Sequence, residues 1–254
     1  MYILNVSPGP VDIRVQADLR AGFPSSSEVK VLNAVLGAVQ KRRGSDHDTK
    51  PNLRSLITSE LGAPLPLHIS LSASLSLTTD NKDGFLDKLT TSLANVHGLH
   101  DFEVKLTHLL WAPNYDRTRW FLVVGVERPA GDELNLLLKC CNRTCEQAGL
   151  PTLYQSFHEK GGPGRSSAAA APLRQGKANP TEALDEYSDM FHFSLGWSLE
   201  EPVNKTLDLN DLEGGTADDL KSIRVRFDSV KVKIGNTITS VPLKGTLKDR
   251  NVLI

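Results

Sequence analysis

The sequence has little of what usually announces a function class. It holds only three cysteines, at positions 140, 141 and 145. An odd, clustered set fits no disulfide framework, and no histidine accompanies it at zinc-ligand spacing. We read them as reduced cysteines on a helix of a nuclear or cytosolic protein. No run approaches the ~18 apolar residues of a membrane span. The stretch from Met1 to Val15 lacks the basic segment and apolar core of a signal peptide. Charge nearly cancels, at −1 over 254 residues. No global basic field therefore marks a nucleic-acid binder, and any RNA contact must come from a local patch. No cluster of carboxylates stands at metal-binding spacing, which argues against a two-metal nuclease. What remains is an ordinary globular composition, 39% hydrophobic and 23% charged, long enough for one domain of two lobes or two small domains.

What is present is one pentapeptide pattern, twice. Leu67-His68-Ile69-Ser70-Leu71 and Phe191-His192-Phe193-Ser194-Leu195 both read apolar-His-apolar-Ser-apolar, 124 positions apart. Alternation with period two is a strand signal. Residues i and i+2 share a strand face, so each copy sets an imidazole beside a hydroxyl and turns three apolar side chains the other way. A single His-x-Ser on a strand is common and uninformative. Two near-identical copies, each inside a strand-like run, point to a paired site.

The rest of the chain reads as elements that carry these two strands. Val11–Val15 alternates as a strand. Ser25-Ser26-Ser27-Glu28 offers N-caps for a helix through Val31, Leu32, Val35 and Val39, ended by Lys41-Arg42-Arg43-Gly44. Residues 44–52 are polar and read as a mobile loop, and Pro64-Leu65-Pro66 stiffens the entry to the first motif. Asp80 is expected to cap a helix with Phe85, Leu86, Leu89, Leu93 and Val96 on its apolar face. Phe102–Ala112 and Arg119–Glu127 read as a hairpin turned at Pro113-Asn114-Tyr115-Asp116. Pro129 and Asp132 open a helix through Leu134, Leu137, Leu138 and Cys141, stopped by Gly149 and Pro151. Residues 159–185, rich in glycine, serine and alanine, read as a flexible loop insertion. Ser222–Ile234 and Thr237–Leu243 read as strands around the Gly235-Asn236 turn. The expectation is α+β: a single domain, residues 1–254, of two lobes related by a pseudo-twofold, with antiparallel sheets, flanking helices and the motif strands lining the cleft between them.

Two histidines across one phosphate can act as base and acid, because an unperturbed imidazole titrates near ~6.5. Ser70 and Ser194 can donate hydrogen bonds to the charge that develops on the phosphoryl oxygens. A serine nucleophile would want a third orienting group, and neither motif has one at an obvious position. The other histidines (47, 97, 100, 108 and 158) have no partner motif and read as solvated or structural. Lys231 and Lys233 read as a solvated face. Arg117 and Arg119 share a strand face, where Arg119 is a candidate for RNA contact and a salt bridge is an equal alternative.

These motifs resemble those of the 2H phosphoesterases, and within them the U6 snRNA phosphodiesterase (Usb/Mpn-type) family. Four stretches carry the resemblance: 67–72, with the first motif; 114–121, a central basic hairpin; 191–197, the second motif and its trailing Trp197; and 230–236 with 240–243, a C-terminal hairpin. The 159–185 segment is unmatched, and the first strand departs from the family's usual opening. The resemblance implies the two-lobed 2H fold and a metal-independent 3′-5′ exoribonuclease with no cofactor. Such an enzyme trims the oligouridine 3′ end of U6 snRNA, leaving a 2′,3′-cyclic phosphate that some members open to a 3′-phosphate. It makes His68 and His192 the catalytic pair and Ser70 and Ser194 phosphate binders. It makes Tyr154 the residue that stacks on a terminal base, a contact worth ~1–3 kcal/mol. It also favours His68 as acid and His192 as base, a choice the symmetric motifs do not make. RNA is the expected partner, with no membrane, a monomeric state and a nuclear location. Two alternatives stay open: another 2H-type cyclic phosphodiesterase, and an RNA-end-binding module whose His/Ser pairs only hold phosphate.

Overall fold

The structure, a computed structural model, describes residues 10–18, 23–42, 53–154, 187–212 and 214–245, with backbone only for 10–18 and Arg42. The expected loops at 44–52 and 159–185 lie outside the described residues, as do His47 and His158. In chain order the elements are β1 (Pro10–Asp18), α1 (Ser26–Arg42), β2 (Arg54–Ser55), β3 (His68–Ser70), β4 (Leu75–Thr78), α2 (Thr79–Ala94), β5 (Phe102–Pro113), β6 (Trp120–Val126), α3 (Glu133–Gln147), β7 (His192–Ser198), β8 (Thr206–Leu207), α4 (Thr216–Ser222), β9 (Arg224–Phe227), β10 (Ser229–Ile234) and β11 (Thr237–Pro242). Among the described residues no helix is long and apolar enough to cross a membrane.

The α+β expectation with antiparallel sheets holds. One sheet runs β11-β10-β1 and then β3 and β4, which pair end to end with the two halves of β1. The other runs β2-β7-β6-β5 and then β8 and β9, which likewise share the two halves of β5. Each sheet thus has one long strand flanked by two short ones. Helices α1 and α4 pack on the second sheet, and α2 packs on β1, β4 and α3. A single apolar cluster joins side chains of both sheets and all four helices.

Local chemistry explains most boundaries. Ser25 and Glu28 form a reciprocal capping box before α1, with Glu28 N–H donating to Ser25 Oγ (3.3 Å) and Ser25 N–H to Glu28 Oε2 (2.6 Å). Asp132 holds the N-cap position of α3, as expected, but Asp80 does not hold that of α2: Thr78 does, in extended conformation and without a side-chain capping bond, and Asp80 sits in the first turn, where its charge suits the helix dipole. Phe85, Leu89 and Leu93 form the buried stripe of α2. The stretch 222–234 is not one strand. It breaks at Asp228, so that β9 joins β5 in the second sheet while β10 joins β1 in the first. Arg117 lies in the β5–β6 turn at φ 53°, not on a strand face with Arg119.

Candidate active site

The two His-x-Ser motifs lie on different sheets, and the alternation expected of them is what they show. On β3, His68 and Ser70 are exposed while Ile69 is buried; Leu67 and Leu71 on either side are buried too. On β7, His192 and Ser194 are half-buried while Phe193 and Leu195 are buried. Phe193 stacks on Phe227, with ring centroids 6.2 Å apart and planes 5° from parallel, and burying such a side chain is worth about 1.5–3 kcal/mol. The apolar faces thus anchor both strands, leaving the polar faces to solvent.

The segment that links β2 to β3 brings β3 against β7. The second sheet's edge strand β2 pairs with β7 through Arg54–Trp197 and Ser55–Gly196, and Leu56 N–H adds a bond to Leu195 O (2.8 Å). This close pairing requires glycine at 196, where a Cβ would stand 2.8 Å from the Arg54 carbonyl oxygen. From β2 the chain reaches β3 through residues 56–67, which turn back on themselves at the Thr58–Pro64 bridge. The result is a cleft lined by Leu56, Leu65, Pro66, Leu67, His68 and Ser194, so one residue of each motif lines it, while His192 and Ser70 are not in that lining.

His192 is oriented from behind. Its Nδ1 lies 2.7 Å from the carbonyl oxygen of Met190. A carbonyl only accepts, so Nδ1 carries a proton, and in the neutral ring Nε2 keeps its lone pair. Met190 ends a 3-10 turn, Ser188–Met190, whose start is tied to α3: the buried Asn135 donates to Ser188 Oγ (3.1 Å) and accepts from Tyr187 N–H (3.1 Å). Seven residues along the same helix, buried Asn142 donates to Leu153 O and accepts from Leu153 N–H, both at 2.9 Å. This clamp holds Tyr154 in the left-handed region at φ 68°, a conformation that costs a non-glycine residue about 1–3 kcal/mol. Tyr154 Oη donates to the same Met190 carbonyl (3.3 Å), and its ring packs on Tyr187 with centroids 5.8 Å apart. Burial pushes the Tyr154 phenol up to about 12, so it is a neutral donor at physiological pH. Helix α3 therefore sets both residues that meet at Met190.

A third histidine lies on this face. Gly125 on β6 stands opposite His192 on β7, and the register of β5 against β6 shifts between Leu106 and Leu109. That bulge turns His108 over Gly125, where an added Cβ would overlap the imidazole. From sequence His108 is expected to be solvated or structural; in the fold its ring lies across β6 towards His192. Three influences act on His192: burial lowers its pKa, the Met190 hydrogen bond raises it, and the charge of His108 lowers it again, with a net shift downwards. Removing the His108 charge should therefore raise the pKa of His192. An NMR titration of His192 in His108→Gln is expected to show that upward movement, and a downward one or none would remove His108 from the site's electrostatics.

With this geometry in view, the chain matches the HVSL family (Uncharacterised conserved protein) over residues 22–242. The chain belongs to this family. A relative, U6 snRNA phosphodiesterase 1 of Neurospora crassa, is 30% identical over 249 residues, an alignment that takes in 87% of this chain. The chain spans 62% of that relative's length. Two solved structures share its fold: Kluyveromyces marxianus Usb1, at 17% identity, and the same protein with uridine monophosphate, at 18%. Each superposes with a TM-score of 0.57 over 91% of this chain and nearly all of the other.

The other candidates are placed unevenly around this cleft. Arg119 immediately precedes β6, its guanidinium carbon 4.7 Å from the centre of the Trp197 ring. Such an interaction is worth about 0.5–1 kcal/mol at an exposed site. Lys231 Nζ donates to Ser240 Oγ (2.7 Å) in the β10–β11 hairpin. The three cysteines sit on α3, as expected, where burial pushes the thiols of Cys140 and Cys145 up to about 11 and that of Cys141 up as well. They are poor nucleophiles there.

Proposed function

We propose that this chain is a metal-independent 3′-5′ exoribonuclease acting on the oligouridine 3′ end of U6 snRNA, in the nucleus and as a monomer, with no cofactor. The observation that carries the reading is the shared cleft: His68 lines it from one sheet and Ser194 from the other, each with its motif partner two residues along the same face. The named Neurospora relative supports the substrate class.

In this mechanism His192, neutral and with Nε2 unprotonated, takes the proton of the penultimate nucleotide's 2′-OH. The 2′-oxygen attacks phosphorus, the bond to the 5′-oxygen breaks, and His68 protonates the departing nucleoside. A 2′,3′-cyclic phosphate remains, which water can open to a 3′-phosphate by the reverse roles. Ser70 and Ser194 donate to the non-bridging oxygens as their charge grows. Tyr154, whose hydroxyl meets the carbonyl that orients His192, stacks on the terminal base. Arg119 contacts the strand. The two sheets act as the two lobes of one domain, with the 159–185 segment as an insertion between Tyr154 and the second motif.

The test is incubation with a uridine-tailed RNA in EDTA. Stepwise shortening from the 3′ end is expected. Loss of activity in EDTA, restored by magnesium or manganese, would overturn the metal-independent mechanism. Binding without shortening would indicate an RNA-end-binding module, and opening of small cyclic phosphates alone a different 2H-type reaction.

A further inference from the structure

The cleft face of the second sheet continues past Ser194. Along β7, Ser194 stands opposite Val123 but Gly196 opposite Leu122, so Leu195 is an extra residue in a bulge. In a regular strand Trp197 would follow Phe193 and Leu195 onto the core face. The bulge instead sets it opposite Phe121, half-buried, while Ser198 takes the buried place. Trp197 thereby joins His192 and Ser194 on the side of the sheet that faces the cleft.

Two arginines close on its ring, Arg54 on β2 and Arg119 just before β6. The guanidinium carbon of Arg54 on β2 is 5.0 Å from the ring centroid and that of Arg119 is 4.7 Å away. Both arginines are exposed, and among the described residues neither has a carboxylate partner. Their backbones are fixed. Asn114 Oδ1 accepts from the N–H groups of Thr118 (2.8 Å) and Arg119 (3.0 Å), and Asn114 N–H donates to Arg119 O (2.9 Å). Arg54 is held by its pairing with Trp197 itself. Two like charges brought to one ring repel each other, and an anion that bridges them removes that cost. Guanidinium forks match phosphate oxygens, and the flat indole limits the arginines' freedom before any ligand arrives.

We propose that Arg54, Trp197 and Arg119 form a phosphate-binding shelf for the RNA strand that flanks the scissile bond. This inference rests on the RNA reading above. Trp197 lies three residues beyond Ser194, about 7–10 Å along the strand, so the shelf holds a neighbouring phosphodiester and not the one that reacts.

The test measures equilibrium binding of an oligouridine whose penultimate nucleotide is 2′-deoxy, which the wild-type chain can bind but not cleave. Affinity is followed over a range of salt concentrations for the wild type, for Arg54→Gln/Arg119→Gln and for Arg54→Lys/Arg119→Lys, with thermal melts to show that all three are folded. The glutamine variant is expected to bind more weakly, its salt slope shallower by about 0.7 for each phosphate it no longer neutralises. The lysine variant should keep most of the slope. Unchanged affinity and slope in the glutamine variant would overturn the shelf alone. So would equal losses in both variants, which would make the stack a brace for the sheet edge. Failure of the wild type to bind the RNA at all would overturn the shelf together with the RNA reading.

Discussion

His68→Ala and His192→Ala should each slow RNA shortening by about 10²–10⁴-fold, the usual contribution of one positioned acid or base. Both variants should remain folded. His68 is exposed on a three-residue strand held by the buried Ile69, so truncating it opens no cavity. His192 is half-buried, and its loss removes one donor from Met190 O, but Tyr154 Oη still donates to that oxygen. No buried carbonyl is orphaned, which is the condition that makes such deletions costly. The double variant should be little worse than either single one, because residues that act on one transition state do not add. Single-turnover rates on a uridine-tailed RNA, with a thermal melt for each protein, check this. Near wild-type activity in either single variant would disprove a paired mechanism.

The sequence made the paired motifs legible because they depend only on period-two alternation, which any strand obeys. It also exposed the β5–β6 hairpin, where Asn114 makes the turn's hydrogen bonds with its own side chain, and α3, whose Asp132 N-cap and apolar stripe are local signals. What escaped was set by partners distant in sequence. Strands β2 and β8 are two residues each, too short to carry a period, and exist because β7 and β5 offer them unpaired edges. The break at Asp228 did leave a trace, a change of phase: the apolar residues are Val225 and Phe227 before it and Val230 and Val232 after it, with the polar pair Asp228-Ser229 between. His108 reads as an isolated surface histidine until a bulge in β5 and a glycine on β6 turn it towards His192. Trp197 depends likewise on a bulge, and alternation alone puts it on the wrong face. The Met190 carbonyl that sets the His192 tautomer is backbone, which no residue-type motif can mark. A lone Gly125 inside the apolar strand 120–126 was another hint, because glycine in a strand interior signals a close approach by something else.

The two imidazoles are equivalent in sequence, but not in their surroundings. His192 is half-buried beside His108 and lowered in pKa, with its Nδ1 proton committed to Met190; His68 is exposed. A base must be neutral before the reaction, so this asymmetry supports the proposed roles of His192 as base and His68 as acid. A substrate with sulfur in place of the 5′-bridging oxygen tests the assignment. An alkoxide leaving group is about as basic as hydroxide and cannot depart without a proton. A thiolate, with a conjugate acid near ~8.5, can. On the sulfur substrate His68→Ala should therefore recover most of its ~10²–10⁴-fold loss, while His192→Ala, which still lacks a group to take the 2′-OH proton, should stay slow. Recovery of His192→Ala in place of His68→Ala would reverse the roles. Recovery of neither would mean that both imidazoles stabilise charge on the phosphoryl group, beyond moving protons.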